Sequence, residues 1–415
     1  MVTNLKTPVV SAALICAVLV YFGAVRVQNR APFISLLPPK NIVRLDGALA
    51  SNPSKTALGT YRADFLVTHA YAKNGAHADA RGMVTVVFPA ETVEALYPGK
   101  RYTAAHGGIL AETGARLTLS VTPGFAAGEY AVTAAQAAGW GSGVAGRLRR
   151  FRALCRLQFR RLLYTWGNAG GLLLALLSGS REYTERTVSD AFKNAGLSHI
   201  LALSGMHLSL VGGLALVLGK RAAGKKAAAA VQLAAIVLFV WFAGLSPSLF
   251  RALVCVLIPL AASALRLRRP DALSVLCASF LVHLMVFPAH VQEAAFLLSY
   301  GALAGILLLG ESIRRLCCAR LFPAVSDALS ESAAAQVVTA PITLRLFGCL
   351  TPVGIIASVV VSPLVTYFLY AGLVGIVICL ALPFLSPVFG GILNVLYGLI
   401  RGIVVFFARF PAVTI

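Results

Sequence analysis

The stretch Ala195-Gly196-Leu197-Ser198-His199-Ile200-Leu201-Ala202-Leu203-Ser204-Gly205-Met206-His207-Leu208 decides how the chain reads. It opens on a glycine turn, and its apolar continuation runs to about Leu218. About 20 mostly apolar residues cross a bilayer as a helix, so this run is long enough to span. Polar side chains inside a span are costly and face a bundle interior or a watery path. On a helix Ser204 and His207 share one face at i, i+3. Gly205 between them leaves room for a close neighbour.

Composition agrees. The 415 residues are 58% hydrophobic and 12% charged, with a mean hydropathy of +0.82, the signature of an integral membrane protein. The net charge is +21. Cytoplasmic loops collect Lys and Arg, and an anionic ligand can also call for them. The eight cysteines form no CxxC pair and read as small apolar fillers, so neither a disulfide framework nor a zinc site is expected. His199 and His207 stand about two helical turns apart, too far to share one ion. No metal and no cofactor is expected.

Four segments follow. Residues 1–30 carry one apolar stretch, Pro8 to Val25, read as a retained transmembrane helix in preference to a signal peptide because no small-x-small cleavage pattern follows. Residues 31–138 change character. Short apolar runs alternate with polar residues at 62–68, 81–88, 101–105 and 116–121, and glycine turns such as Asn74-Gly75 and Thr113-Gly114 separate them. About five strands fit a small all-β barrel of the OB-like kind. Such barrels often bind single strands, yet 31–143 holds nine Lys/Arg against seven Asp/Glu and is nearly neutral.

Residues 139–165 are a glycine hinge and a basic helix bearing Arg147, Arg149, Arg150, Arg152, Arg156, Arg160 and Arg161. Leu148, Phe151, Cys155 and Phe159 share one face, the pattern of an amphipathic helix lying on a membrane surface. A collar of positive charge at a pore mouth is the functional alternative.

Residues 166–415 are a multi-helix membrane block. The expected spans after the first stretch lie at about 228–243, 249–265, 272–287 and 291–310. Basic segments (Lys220–Lys226, Arg266–Arg269, Arg314–Arg320) alternate with uncharged ones (Gly244–Ser248, Pro288). By the positive-inside rule the basic segments are cytoplasmic. The start of the Ser204 helix, and with it the β domain, is then extracytoplasmic. Several residues do not suit a lipid-facing bundle: Ser246, Pro247 and Ser248 with Arg251 one turn on, Ser299, and Gln336 with Pro341 in a weak, broken span. With His199, Ser204, Gly205 and His207 they are the candidate lining of one polar conduit.

The ordered motifs resemble the ComEC competence-protein family. Ala191-Phe192 through His207 is similar to its AF-x-x-AG-x-x-H-x-L-A-x-SG-x-H pattern, and Gly244 through Ala252 to G-x-SPS-x-x-RA. Phe296 through Tyr300 is similar to F-x-LSF, and Ala335-Gln336 through Pro341, Phe347-Gly348 and Ser362-Pro363-Leu364 to a later run. The resemblance implies a polytopic α-helical membrane protein of the bacterial inner membrane with a small extracytoplasmic OB-like domain. It implies a channel, not an enzyme, that passes single-stranded DNA into the cytoplasm during natural transformation. The implied partners are a DNA receptor and uptake machinery outside, a motor or helicase inside and the lipid bilayer; a homo-oligomer is compatible with it. Three departures stand out. No histidine follows His290, so the metallo-β-lactamase-like domain of many members is expected to be missing. Fewer N-terminal spans are present, and Ser358 replaces an asparagine. Two rival readings remain: an intramembrane serine hydrolase built on Ser204 and His207, and a membrane-anchored assembly scaffold.

Overall fold

The computed structural model describes residues 8–21, 32–97, 108–124, 126, 128–222, 224–317 and 322–414. They form two compact units. Residues 28–165 with 180–183 make one; residues 1–27, 166–179 and 184–415 make the other, which is helical. The chain begins in the helical unit with α1 (Pro8–Tyr21), whose Val10 and Ala13 are buried and whose Val20 packs on a cluster around Leu276 and Phe296.

The other unit is a closed barrel. Its strands are β1 (Ile34–Ser35), β2 (Ile42–Leu49), β3 (Ser54–Lys55), β4 (Tyr61–Ala72), β5 (His77–Phe88), β6 (Arg116–Pro123) and β7 (Glu129–Gly139), with the short helix α2 (Ala90–Glu94) after β5. Hydrogen bonding runs β2–β4–β5–β7–β6 and back to β2. Every junction is antiparallel except β5–β7, where Val86 pairs Tyr130 in parallel. The expected strands at 62–68, 81–88 and 116–121 fall in β4, β5 and β6; the candidate at 101–105 lies outside the described residues. Alternation fills the barrel: Tyr61, Ala63, Phe65 and Val67 point in. A register shift between Val67 and His69 then turns both Thr68 and His69 outward and returns Ala70 to the core, as a bulge does.

The helix α3 (Gly143–Thr165) belongs to this unit and corrects one expectation. Arg156 and Arg160 do not meet headgroups. Both are buried, with Ala153, Leu157 and Leu163 on the same inward face. Arg156 Nε lies 3.1 Å from Glu112 Oε1, Arg160 Nη2 2.9 Å from the same oxygen, and Arg160 Nε 3.0 Å from Glu182 Oε1. Arg161 donates twice to the Leu96 carbonyl, and Arg152 is half-buried. Burial works against the Arg160 charge, and Glu182 and Glu112 more than offset it, leaving its pKa raised. Arg147, Arg149 and Arg150 remain exposed, beside exposed Leu148 and Phe151. The helix has two usable faces, and the ionic one is inside because three-dimensional partners, invisible to periodicity, neutralise it.

The helical unit continues with α4 (Gly167–Ser178), α5 (Arg186–Asn194), α6 (Ser198–Leu201), α7 (Gly205–Ala222), α8 (Gly224–Ala243), α9 (Pro247–Ala264), α10 (Ala272–Val286), α11 (Ala294–Cys317), α12 (Pro323–Phe347), α13 (Gly354–Ala381) and α14 (Ser386–Phe407). The strands β8 (Cys349–Leu350) and β9 (Val413–Thr414) pair near the end. α4 is apolar on all sides and buried from Ala169 to Ser178, as such a helix must be inside a bundle. Trp166, just before it, donates Nε1–H to Ser386 Oγ at 2.9 Å and accepts from Asn394 Nδ2 at 3.0 Å. Four helical segments, Pro247–Ala264, Ala294–Leu316, Gly354–Ala381 and Pro383–Phe407, are long and apolar enough to cross a membrane. The chain is a polytopic helical membrane protein with an N-terminal all-β domain. The expected basic loop at 220–226 is instead helix on both sides of residue 223. Lys220 and Arg221 end α7, and Arg314 and Arg315 end α11, where cations suit the negative end of the helix dipole.

Candidate conduit-lining site

The helix expected from Ser198 onward is broken. α6 is a single turn, Ala202 is extended, and α7 restarts at Gly205. Ser204 is therefore not on a helical face with His207, as the sequence suggested, but is the residue before the helix. Its backbone N–H donates to His207 Nδ1 at 3.1 Å, and its Oγ stands 3.1 Å from the same nitrogen. A nitrogen that accepts a backbone N–H carries no proton, so the neutral ring holds its proton on Nε2. That atom is buried with no partner among the described residues, in an apolar hollow lined by Leu177, Leu210, Val211, Leu369 and Leu373. An unmet buried donor costs roughly 1–3 kcal/mol, the cost of fixing the break at this point.

The restart brings α7 against α9. A Cβ at Gly205 would stand 3.4 Å from Arg251 Nη2 and from Ala252 Cβ. α9 begins where Ser246 Oγ accepts from Leu249 N–H at 3.4 Å, with Pro247 in the first turn, a serine cap with a preset proline φ. One turn later Arg251 Nη1 donates to the Ser299 carbonyl at 2.9 Å, and Nε is buried with no partner among the described residues. Ser248 Oγ donates to the Ala295 carbonyl at 3.5 Å. Ser204, Gly205, His207 and Arg251 are thus brought together at one end of α7 and α9. Ser299 serves through its carbonyl, not its hydroxyl.

Gln336 belongs to a second group. Its Nε2 donates to the Thr351 carbonyl at 3.0 Å. A Cβ on Gly196, where φ is +74°, would stand 3.2 Å from that same oxygen and 3.0 Å from Gly354 Cα. Only glycine suits that backbone angle and that approach. Pro341 breaks the hydrogen-bond ladder of α12 and is exposed, as is His199 on α6.

Sequence reasoning missed a third group. His283 of α10 and Tyr300 of α11 are both buried and 3.3 Å apart. His283 also meets His290 at 3.0 Å. The available signal was the seven-residue spacing of the two histidines across Pro288.

Every one of these residues falls in one block of the chain. A family model described as "Competence protein" matches residues 176–415. ComE operon protein 3 of Bacillus subtilis (strain 168) is 30% identical over 217 residues, which are 51% of this chain and 27% of that relative. No solved structure matches. The broken helix at Ser204, the Ser-Pro-Ser cap ahead of Arg251 and the proline-bearing α12 all lie inside the matched block, and the chain belongs to the ComEC family of competence proteins.

Proposed function

We propose that the helical unit is a conduit through which one strand of DNA enters the cytoplasm during natural transformation. The observation that carries this reading is Arg251. It is a guanidinium inside an apolar helix, held by one carbonyl and by no carboxylate among the described residues. A strand brings one negative charge per nucleotide into a low-dielectric slab. It needs fixed donors there, and a helix start beside a guanidinium supplies them. The alternation of basic and uncharged segments supports an inner-membrane topology with the barrel outside. Labelled duplex that binds cells lacking this gene but never reaches the cytoplasm supports the conduit; labelled DNA recovered inside such cells overturns it.

The hydrolase reading has one point in its favour, the 3.1 Å approach of Ser204 Oγ to His207 Nδ1. Against it, that nitrogen already accepts the Ser204 N–H, and among the described residues no third group orients the ring through Nε2 as nucleophilic catalysis requires. Ser204→Ala keeps the backbone cap, so uptake should fall by no more than a few-fold. A hydrolase would lose all peptide cleavage.

We read the barrel as OB-type: five strands close it, the third and fifth run parallel, and a helix joins the third to the fourth. Its β2–β4–β5 face carries a cross-strand row in which Arg44, Tyr71 and His77 are register partners. Arg44 lies 4.7 Å from the Tyr71 ring centroid, and the Tyr71 and His77 rings stack at 6.1 Å. Such a row can take a base, worth about 1–3 kcal/mol per stack. Tyr71→Ala should weaken single-strand binding to the whole protein by roughly tenfold; unchanged affinity in a filter or anisotropy titration removes the barrel from the DNA path.

A further inference from the structure

The group built on His283 has no part in the conduit as described. Its hydrogen bonds have a direction. Tyr300 Oη donates to the Ser279 carbonyl at 3.0 Å, and a carbonyl can only accept. Tyr300 Oη is therefore an acceptor toward His283, whose Nδ1–H donates to it at 3.3 Å. In the neutral ring His283 Nε2 is then a bare lone pair, and His290 Nδ1–H donates to it at 3.0 Å. Among the described residues that leaves one open lone pair, on His290 Nε2, 4.0 Å from Glu293 Oε1. His283 is fully buried; His290 is about one-fifth exposed and Glu293 one-half. The chain of bonds runs from the surface inward and stops at the Ser279 carbonyl.

We propose that His283 and His290 form a proton-binding site that opens at Glu293 and sets the conduit's response to external pH. A proton arrives on the lone pair of His290 Nε2. His290 Nδ1–H then passes its proton to His283 Nε2. His283 becomes the imidazolium, donating through Nε2–H to His290 Nδ1 and through Nδ1–H to Tyr300 Oη, and His290 is left neutral with its proton on Nε2. Tyr300 keeps its own proton, and the net gain is one positive charge.

A buried charge needs compensation, and three features supply it. The Phe250 and Phe296 centroids lie 4.7 and 4.8 Å from the His283 ring, within the range over which aromatic rings attract cations. His283 is in the last turn of α10, the negative end of the helix dipole. Glu293 stands at the mouth. The other titratable or charged groups among the described side chains of the packed elements are Arg251 and Cys255 of α9, Tyr300 of α11 with Glu311, Arg314 and Arg315 toward the other end of that helix, and Cys16 of α1. Cys255 Sγ reaches Ser279 Oγ at 3.5 Å. Tyr300 follows Ser299, whose carbonyl holds Arg251, so His283 is linked to the conduit's cation through Tyr300 and the adjoining Ser299 carbonyl. This last step rests on the conduit reading.

The test uses the full chain in lipid nanodiscs with 15N-labelled histidine. Ring nitrogens of His283 and His290 should move together as one titration, and His290→Gln should abolish it. Two independent titrations, or neutral shifts throughout, overturn the site. The spectra are taken without DNA, so their outcome does not depend on the conduit. In cells, wild-type uptake should change with external pH while His290→Gln uptake stays flat; matching pH profiles overturn the coupling. If His283→Gln fails to fold, the rim variant His290→Gln still decides both arms. Normal uptake by Arg251→Ala would remove the conduit and leave the proton site standing.

Discussion

Arg251→Ala should abolish DNA uptake while the chain remains inserted in the membrane at normal abundance. The two halves of this expectation come from the same geometry. An arginine costs about 2.5–3.5 kcal/mol at the centre of a span and less toward its ends; Arg251 lies in the second turn of α9, and no carboxylate among the described residues compensates it. Its guanidinium donates to the Ser299 carbonyl, and its Nε has no partner among the described residues. Removing it breaks no ion pair among the described residues and relieves a buried donor, so insertion and folding should not be harmed. A residue that costs stability and is held in place anyway is doing something else. Nη1 is spent on Ser299, and Nη2 faces Gly205 at the start of α7, where backbone donors also collect. Arg251→Lys keeps the charge but loses the fork that serves both directions, so its uptake should fall between wild type and Ala. The measurement is the count of transformants and of labelled DNA inside the cell, normalised to protein in the membrane fraction. Normal uptake by a stably inserted Arg251→Ala chain sinks the conduit.

The motif around Ser204 was legible as a polar intrusion into apolar sequence, but its geometry was not. Helical periodicity put Ser204 and His207 on one face. The chain instead breaks between Leu201 and Gly205, because a histidine three residues on can cap the restart, and periodicity carries no term for such a bond. Arg251 beside Ser-Pro-Ser was legible for the opposite reason: a serine cap with proline behind it is a local rule, and a charge inside an apolar run is visible without any fold. Strands β4, β5 and β6 could be read from alternation. The closure of the barrel by the parallel β5–β7 pair could not, since it joins residues far apart in sequence. His283 went unnoticed because a lone histidine on an apolar helix looks like filler until Tyr300 and His290, from two other segments, are seen to meet it.

Glu112→Gln should cost the β unit about 3–5 kcal/mol, the loss typical of one partner removed from a buried ion pair. Its carboxylate takes Arg156 Nε and Arg160 Nη2 within 3.1 Å, and the three side chains are 4 to 6% exposed. Neutralising it leaves two guanidiniums close together and inside, with Glu182 as the other acid on Arg160. The neighbouring phenols cannot take up the charge. Burial pushes Tyr97 and Tyr164 above their ordinary range, and nearby carboxylates push them the same way, so they stay neutral. The double variant Glu112→Leu with Arg156→Met removes one charge of each sign and keeps the volume, so it should recover part of the loss, as apolar replacements of buried pairs do. The reading is the urea or thermal unfolding midpoint followed through tryptophan and tyrosine signals in the full chain. This experiment also decides between the two faces of α3. If its arginines were headgroup ligands, Glu112→Gln would leave unfolding untouched and membrane binding would carry the effect. If they are the ionic core of the β unit, the unit softens in detergent and bilayer alike, and exposed Arg147, Arg149 and Arg150 are what remains to meet a membrane surface.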